Sequence, residues 1–168
     1  MLKIDVEIMH PAEQDIFQIM EIERNGFSKE EAANLNAMRA RLRIINDTFL
    51  VARSKDSNDV VGFIVGPAIK DRYLKDKSYD EVVPNENAAK YQSVLSLAVH
   101  PLVQHYGIGT ELLTAFAQLA KQARRKAITL TCLEDKISFY EKNGYQDEGL
   151  SDSQHANEKW HNMLLLLD

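Results

Sequence analysis

Gln104-His105-Tyr106-Gly107-Ile108-Gly109 is the stretch that decides how this chain is read. A stretch that reads as a buried strand, Tyr91 to Val99, precedes it and ends at His100-Pro101. A strongly amphipathic run follows, with Ile108, Leu112, Phe116, Leu119 and Ala123 at helical spacing as its expected inner stripe. A strand, a glycine turn and a helix N-terminus in succession make an anion site, because unpaired backbone N–H groups and the positive end of the helix dipole converge there. Gly107 and Gly109 remove side chains where a phosphate must approach the backbone, and Gln104 and His105 add donors at the rim. The same two glycines would also serve a tight turn with no ligand. A nucleotide loop of the Walker kind fails, since Gly109 is followed by Thr110 and Glu111 without a lysine. A dinucleotide fingerprint fails too, because Leu112 stands where its third glycine belongs.

Outward from this stretch, the elements alternate. Ile4, Val6 and Ile8 alternate with polar neighbours as a first strand. Pro11 suits the first turn of a helix carrying Ile16, Ile19, Met20 and Glu23, which Gly26 breaks. Ser28 with Glu31 is a capping-box pattern that predicts a second helix from Ser28 to about Ile45. Phe49 to Val51 and Val60 to Val65 read as a hairpin across the polar residues 55–59. Lys70 to Asn87 is a long surface loop with room for one short helix, and long loops in compact domains are often functional. Ala127 to Cys132 is a strand, Ile137 to Asn143 a short helix capped by Gly144, and two strands follow near Tyr145 to Gly149 and Glu158 to Leu167. The order β-α-α-β-β-β-α-β-α-β-β predicts one α/β domain over residues 1–168 with a mixed central sheet.

Composition narrows the function. Hydrophobic residues make up 45% and charged residues 27% of the 168, which supplies one sizeable core and excludes a disordered chain. The net charge of -5 and the lack of a basic face argue against nucleic acid as a partner; the cluster Arg124-Arg125-Lys126 reads as a solvated helix C-terminus. An acidic balance suits a cationic amine. The alternation of MLKIDVEIMH lacks the apolar run of a leader, and Met163 to Leu167 is too short to span a bilayer, so no membrane partner and a cytoplasmic location are expected. Cys132 is the single cysteine, which excludes an internal disulfide; its place at the end of an apolar strand predicts an inert buried thiol. His10, His100, His105, His155 and His161 do not fall at metal-ligand spacing, so no metal is expected. Trp160 reads as core or pocket wall.

Gln-x-x-Gly-x-Gly resembles the pyrophosphate-binding loop of the GNAT acetyltransferases. Leu97-Ala98-Val99-His100-Pro101 resembles the strand that leads into that loop, and Phe139-Tyr140-Glu141-Lys142-Asn143-Gly144-Tyr145 resembles the second signature of the family. Both occur in the family's order, separated by one helix and one strand, and together cover Tyr91 to about Gly149. The resemblance implies a GNAT fold, with a central sheet of about seven strands flanked by about four helices. Residues 21–42, with Gly26-Phe27-Ser28, Glu30-Glu31-Ala32-Ala33 and Arg41-Leu42, are further similar to bacterial relatives of arylalkylamine (serotonin) N-acetyltransferase, as are Cys132 to Tyr140 and Lys159 to Met163.

The resemblance implies acetyl-CoA as the acetyl donor, with its pantetheine arm along Leu97, Ala98 and Val99 and its pyrophosphate in Gln104, His105, Tyr106, Gly107, Ile108, Gly109 and Thr110. Asn143 of the second signature joins this set. The amine attacks the thioester directly, and Tyr140 matches the family's general acid to the leaving thiolate. The two histidines that arylalkylamine enzymes carry before the loop are replaced by Ser93 and Leu95. Ser93 is expected to hold a water in a proton relay, with Glu23 or His161 approaching from other elements. The implied acceptor is a primary amine on a small molecule. The alternatives are a protein or peptide acceptor, or a non-catalytic acyl-CoA-binding module. An exposed strand edge would support a homodimer.

Overall fold

Val6 and Ile8 alternate with Glu7 to form β1 (Val6–Met9) in the computed structural model, which describes residues 4–153 and 155–168. The first three residues of the N-terminal stretch lie outside the described residues. Pro11 leads into a short 3-10 turn rather than the helix itself: Asp15 accepts the Ala12 amide at 2.8 Å, and α1 (Ile16–Gly26) starts after it. Asp15 is buried and accepts Arg53 Nη2 at 2.6 Å, which ties this turn to the sheet.

The second helix is shorter than its pattern predicts. Ser28 and Glu31 do form the reciprocal box, at 3.2 and 3.3 Å, and one turn closes as the Ala32 amide reaches Ser28 O at 2.8 Å. The next amide, of Ala33, is diverted to the Glu23 carboxylate at 2.8 Å. The helix restarts as α2 (Leu35–Ile44), with Asn34 as its N-cap accepting the Ala37 amide.

β2 (Phe49–Ser54) and β3 (Val60–Val65) form the expected hairpin. The run Tyr91 to Val99 is broken into β5 (Tyr91–Val94) and β6 (Ser96–Val99). The break is a bulge: the Leu95 amide donates to Val65 O at 2.8 Å while Ser96 also sits opposite Val65. Gly66 permits it, since a Cβ there would lie 2.1 Å from Ser93 O. One sheet therefore runs β1-β2-β3-β6. The other runs β4 (Ala68–Ile69), β5, β7 (Ala127–Cys132), β9 (His161–Leu166) and β8 (Gln146–Leu150), with β5 and β7 parallel. The expected mixed sheet is thus two sheets with nine strands among the described residues. Beyond the bulge β6 follows β3 and leaves β7, so a wedge opens between them.

α4 (Ile108–Gln122) packs Ile108, Leu112, Leu113, Phe116 and Ala120 against one face of the sheets, while α1 and α2 cover the other with Ile19, Met20, Met38 and Leu42. The inner stripe of α4 ends at Ala120; Leu119 is partly buried and Ala123 is exposed. Arg125 is not solvated as its cluster suggests. It is buried, and its Nη1 donates to the carbonyls of Glu86, Asn87 and Ala89, pinning the end of the long loop. That loop carries α3 (Lys77–Asp80), and α5 (Ile137–Lys142) ends at Gly144 with φ 91°. Among the described residues no helix is long and apolar enough to cross a membrane.

Candidate active site

The wedge between β6 and β7 opens into a cleft of about 1280 Å³. Its first wall is β6. The His100 amide donates to Val61 O, and the register pairs Ala98 with Phe63 and Ser96 with Val65, so Ser96, Ala98 and His100 turn their backbone groups toward β3. By alternation Leu97 and Val99 turn theirs into the wedge. Gln104 Nε2 meets Val99 O there at 3.2 Å. The wall thus presents a free strand edge, ready to pair with an extended ligand that carries amides.

At the Val99 end stands the N-terminus of α4. His105 (φ 70°) and Gly107 (φ 84°) turn the chain sharply into the helix, and no side chain caps it. The first return bond is from the Glu111 amide to Gly107 O, so the amides of Ile108, Gly109 and Thr110 form the donor rim of the first turn. A Cβ at Gly107 would meet nothing within 4 Å, which leaves the approach open; one at Gly109 would stand 3.2 Å from Phe139 Cζ, so that glycine lets α5 pack close. The geometry suits a phosphate group bound by main-chain donors.

The opposite wall comes from β7 and α5. Tyr140 is buried, edge-on to Phe139 at 5.1 Å and to Tyr145 at 5.6 Å. Its hydroxyl has no hydrogen-bond partner among the described residues, and burial, with Cys132 and Tyr79 nearby, holds the phenol well above its ordinary value. It is therefore a neutral donor. Burial likewise pushes the Cys132 thiol up to about 12, in keeping with an inert thiol.

The residues expected from sequence fall into two groups. Leu97, Ala98, Val99, Gln104, His105, Gly107, Ile108, Gly109, Thr110 and Tyr140 all line the cleft. Tyr106, Asn143 and Ser93 do not. Tyr106 is exposed, and Asn143 closes the end of α5 by donating to Phe139 O at 2.9 Å. Ser93 is fully buried and gives its hydroxyl to Pro67 O at 2.6 Å, because it lies before the bulge, on the stretch that Gly66 crosses. His161 faces Asp147 at 3.3 Å, outside the cleft.

Two groups at the far end were not assembled by sequence reasoning. Glu23, Ser96 and Arg41 form a buried polar cluster: Ser96 Oγ donates to Glu23 Oε2 at 3.3 Å, and Arg41 Nη1 approaches Ser96 Oγ at 3.5 Å. Glu23 and Arg41 each sit on a buried helical stripe, beside Met20 and Leu42, and that misplaced charge was the signal. The second group is Tyr79, His155 and Trp160. Tyr79 stacks on His155 (5.0 Å, 7°), Trp160 Nε1 donates to His155 O, and His155 Nε2 meets Glu31 O at 3.2 Å. Three loops therefore meet across this end.

A sequence family described as acetyltransferase (GNAT) domain matches residues 46–147. Three solved structures show the same fold. Ard1 from Thermoplasma volcanium is 20% identical, with a TM-score of 0.76 over 97% of this chain and 98% of its own. A GNAT-like decarboxylase, GphF, in complex with isobutyryl-CoA, is 12% identical, with a TM-score of 0.82 over 96% and 100%. The NatC complex bound to Gag peptide and CoA is 17% identical, with a TM-score of 0.75 over 99% of this chain and 100% of the matching chain.

Proposed function

The chain belongs to the GNAT acetyltransferase family, and from that premise we propose that it moves the acetyl group of acetyl-CoA directly to a primary amine, acting as one domain over residues 1–168. The observation that carries this reading is the convergence, in one cleft, of a free strand edge at Leu97 and Val99, the uncapped N-terminus of α4 and the unpartnered hydroxyl of Tyr140. The residues fit the donor. Leu97 and Val99 pair with the amides of its pantetheine arm, and the amides of Ile108, Gly109 and Thr110 hold its pyrophosphate. That direction of binding brings the thioester to the bulge at Leu95 and Ser96.

Transfer then needs a deprotonated amine and a stabilised thiolate. The amine forms the new C–N bond with the acyl carbon and the C–S bond breaks. Tyr140 donates to the leaving sulfur, and the proton that nitrogen loses as the amide forms restores the phenol by way of solvent. Ser93 has no place in this scheme, because its hydroxyl is committed to Pro67 O.

A small amine is the proposed acceptor. The structurally similar NatC complex holds a peptide with its CoA, but in this chain the contacts of His155 with Tyr79 and Glu31 bridge the far end of the cleft. A closed end favours a compact acceptor over an extended chain. A closer kinship with arylalkylamine enzymes rests on residues 21–42, Cys132 to Tyr140 and Lys159 to Met163 alone.

The test is the thermal midpoint with and without acetyl-CoA, followed by thiol release over a panel of amines and short peptides. A ligand at a hundredfold excess over its dissociation constant stabilises by roughly 2.7 kcal/mol. A clear upward shift with amine-dependent thiol release supports the reading. A shift without any release favours a non-catalytic binding module, and no shift at millimolar acetyl-CoA overturns the site.

A further inference from the structure

Glu23 is only 1% exposed, and it lies on the wall of the cleft. Its Oε2 is held by the Ala33 amide at 2.8 Å and the Ser96 hydroxyl at 3.3 Å, while its Oε1 is buried with no partner among the described residues. A buried carboxylate oxygen with no donor is costly, and proteins keep such a group where a ligand or a proton completes it. Its location is specific: Ser96 is the second residue of the bulge, where the acyl end of the donor arrives. Arg41, 2% exposed, stands across Ser96 and has no carboxylate within ion-pair distance among the described residues. Its guanidinium balances Glu23 through the serine without neutralising it by direct contact.

We propose that Glu23 takes the proton from the acceptor ammonium, with Ser96 and Arg41 as positioning residues that orient its carboxylate. This rests on the transferase reading above. The step balances: R–NH3+ passes one proton to the Glu23 carboxylate, the freed amine attacks the thioester carbon, and the Glu23 carboxyl returns the proton to solvent after the product leaves. Burial raises its carboxyl above the ordinary value, and Glu31 from the α1–α2 turn adds to that rise; the Ala33 amide, Arg41 from α2 and Ser96 from β6 oppose it. Tyr79 and Asp80 from the long loop act on Arg41. A carboxylate raised in this way is a better base near neutral pH than an exposed one.

The test uses two nucleophiles with acetyl-CoA, 2-phenylethylamine, which is protonated at neutral pH, and methoxyamine, which is not. Glu23→Gln is expected to lower kcat/KM for phenylethylamine by about a hundredfold or more, to shift the acidic limb of its pH profile up to the titration of the amine itself, and to leave methoxyamine within about tenfold of the native rate. The acetyl-CoA midpoint shift stays unchanged. Arg41→Met, of similar bulk, moves the acidic limb to higher pH without removing it. If Glu23→Gln does not fold, Glu23→Asp, which withdraws the carboxylate by one methylene, carries the same expectation of selective loss. An acidic limb left at its native position in Glu23→Gln, or equal loss with both nucleophiles in either Glu23 variant, overturns the proposal. Absence of release with both nucleophiles in the native protein overturns it together with the transferase reading, and the midpoint shift then shows whether the CoA site stands.

Discussion

Glu23 Oε2 accepts the amide of Ala33 at 2.8 Å, ten residues further along the chain, and this one bond links the architecture of the cleft to its chemistry. It stops the turn begun at Ser28, so residues 30–34 line the cleft instead of continuing a longer helix. It also orients the carboxylate beside the bulge at Ser96. A single side chain thereby ends one element and positions a charge.

The Tyr140 hydroxyl has no hydrogen-bond partner among the described residues, so removing it deletes a group that they do not use. Tyr140→Phe is expected to lower kcat by about a hundredfold, the low end of general-acid effects. Urea unfolding should show stability unchanged or slightly raised, since no partner is orphaned, and the acetyl-CoA midpoint shift should persist. Native turnover in the variant would remove Tyr140 from the mechanism.

Gly66 is required by the close passage of Ser93, with 2.1 Å between a hypothetical Cβ and the Ser93 carbonyl oxygen. The atom in the way is backbone, so the strand itself must shift. Gly66→Ala is expected to cost about 3 kcal/mol or more in a urea titration. It should also weaken acetyl-CoA binding, because the bulge that separates β5 from β6 moves with it. A loss below about 1 kcal/mol would mean that the sheets tolerate a different splay.

The α4 loop and the Tyr140 helix were legible because each is a local pattern: glycines at a helix start, an apolar stripe, a Gly cap. What was not legible depends on pairing between distant segments. Tyr91 to Val99 reads as one buried strand, and its division at Leu95 follows from Val65 and Gly66 lying opposite. Ser28-x-x-Glu31 forms its box as read, but whether the helix continues is decided by Glu23. Arg125 reads as one of three surface cations, yet the carbonyls of Glu86, Asn87 and Ala89 bury it. Tyr79, His155 and Trp160 lie far apart in sequence and meet only because the loops close over the cleft.

Arg125 offers one guanidinium nitrogen to three carbonyls at 2.6 to 3.1 Å. Arg125→Met keeps the bulk and removes every donor, so these oxygens lose a charged partner in a half-buried site. The expected loss is about 3 kcal/mol of stability. Hydrogen exchange should rise selectively at residues 86–90, ahead of the sheet. Uniform exchange across the protein would show instead that Arg125 supports the whole fold.

The long loop is tied at its other end by Arg72, which donates to both oxygens of Glu148 on β8 at 3.1 and 2.8 Å, while the Tyr73 hydroxyl adds a bond at 2.9 Å. The Arg72 bond holds the Glu148 carboxyl below its ordinary value. For a depressed carboxyl, the stabilisation is present above the unfolded value and is lost as pH falls through the folded one. Glu23 has the opposite sign: its raised carboxyl favours the fold most at low pH, and that contribution fades as pH rises from the ordinary 4.5 toward the folded value. The two are separable. Glu148→Gln should flatten the loss of stability as pH falls below the ordinary carboxyl value of 4.5, and proteolysis within residues 70–76 should become nearly independent of pH over that range. An acid limb identical to that of the native protein, with loop cleavage still rising at low pH, would show that Arg72 and Glu148 are not the latch.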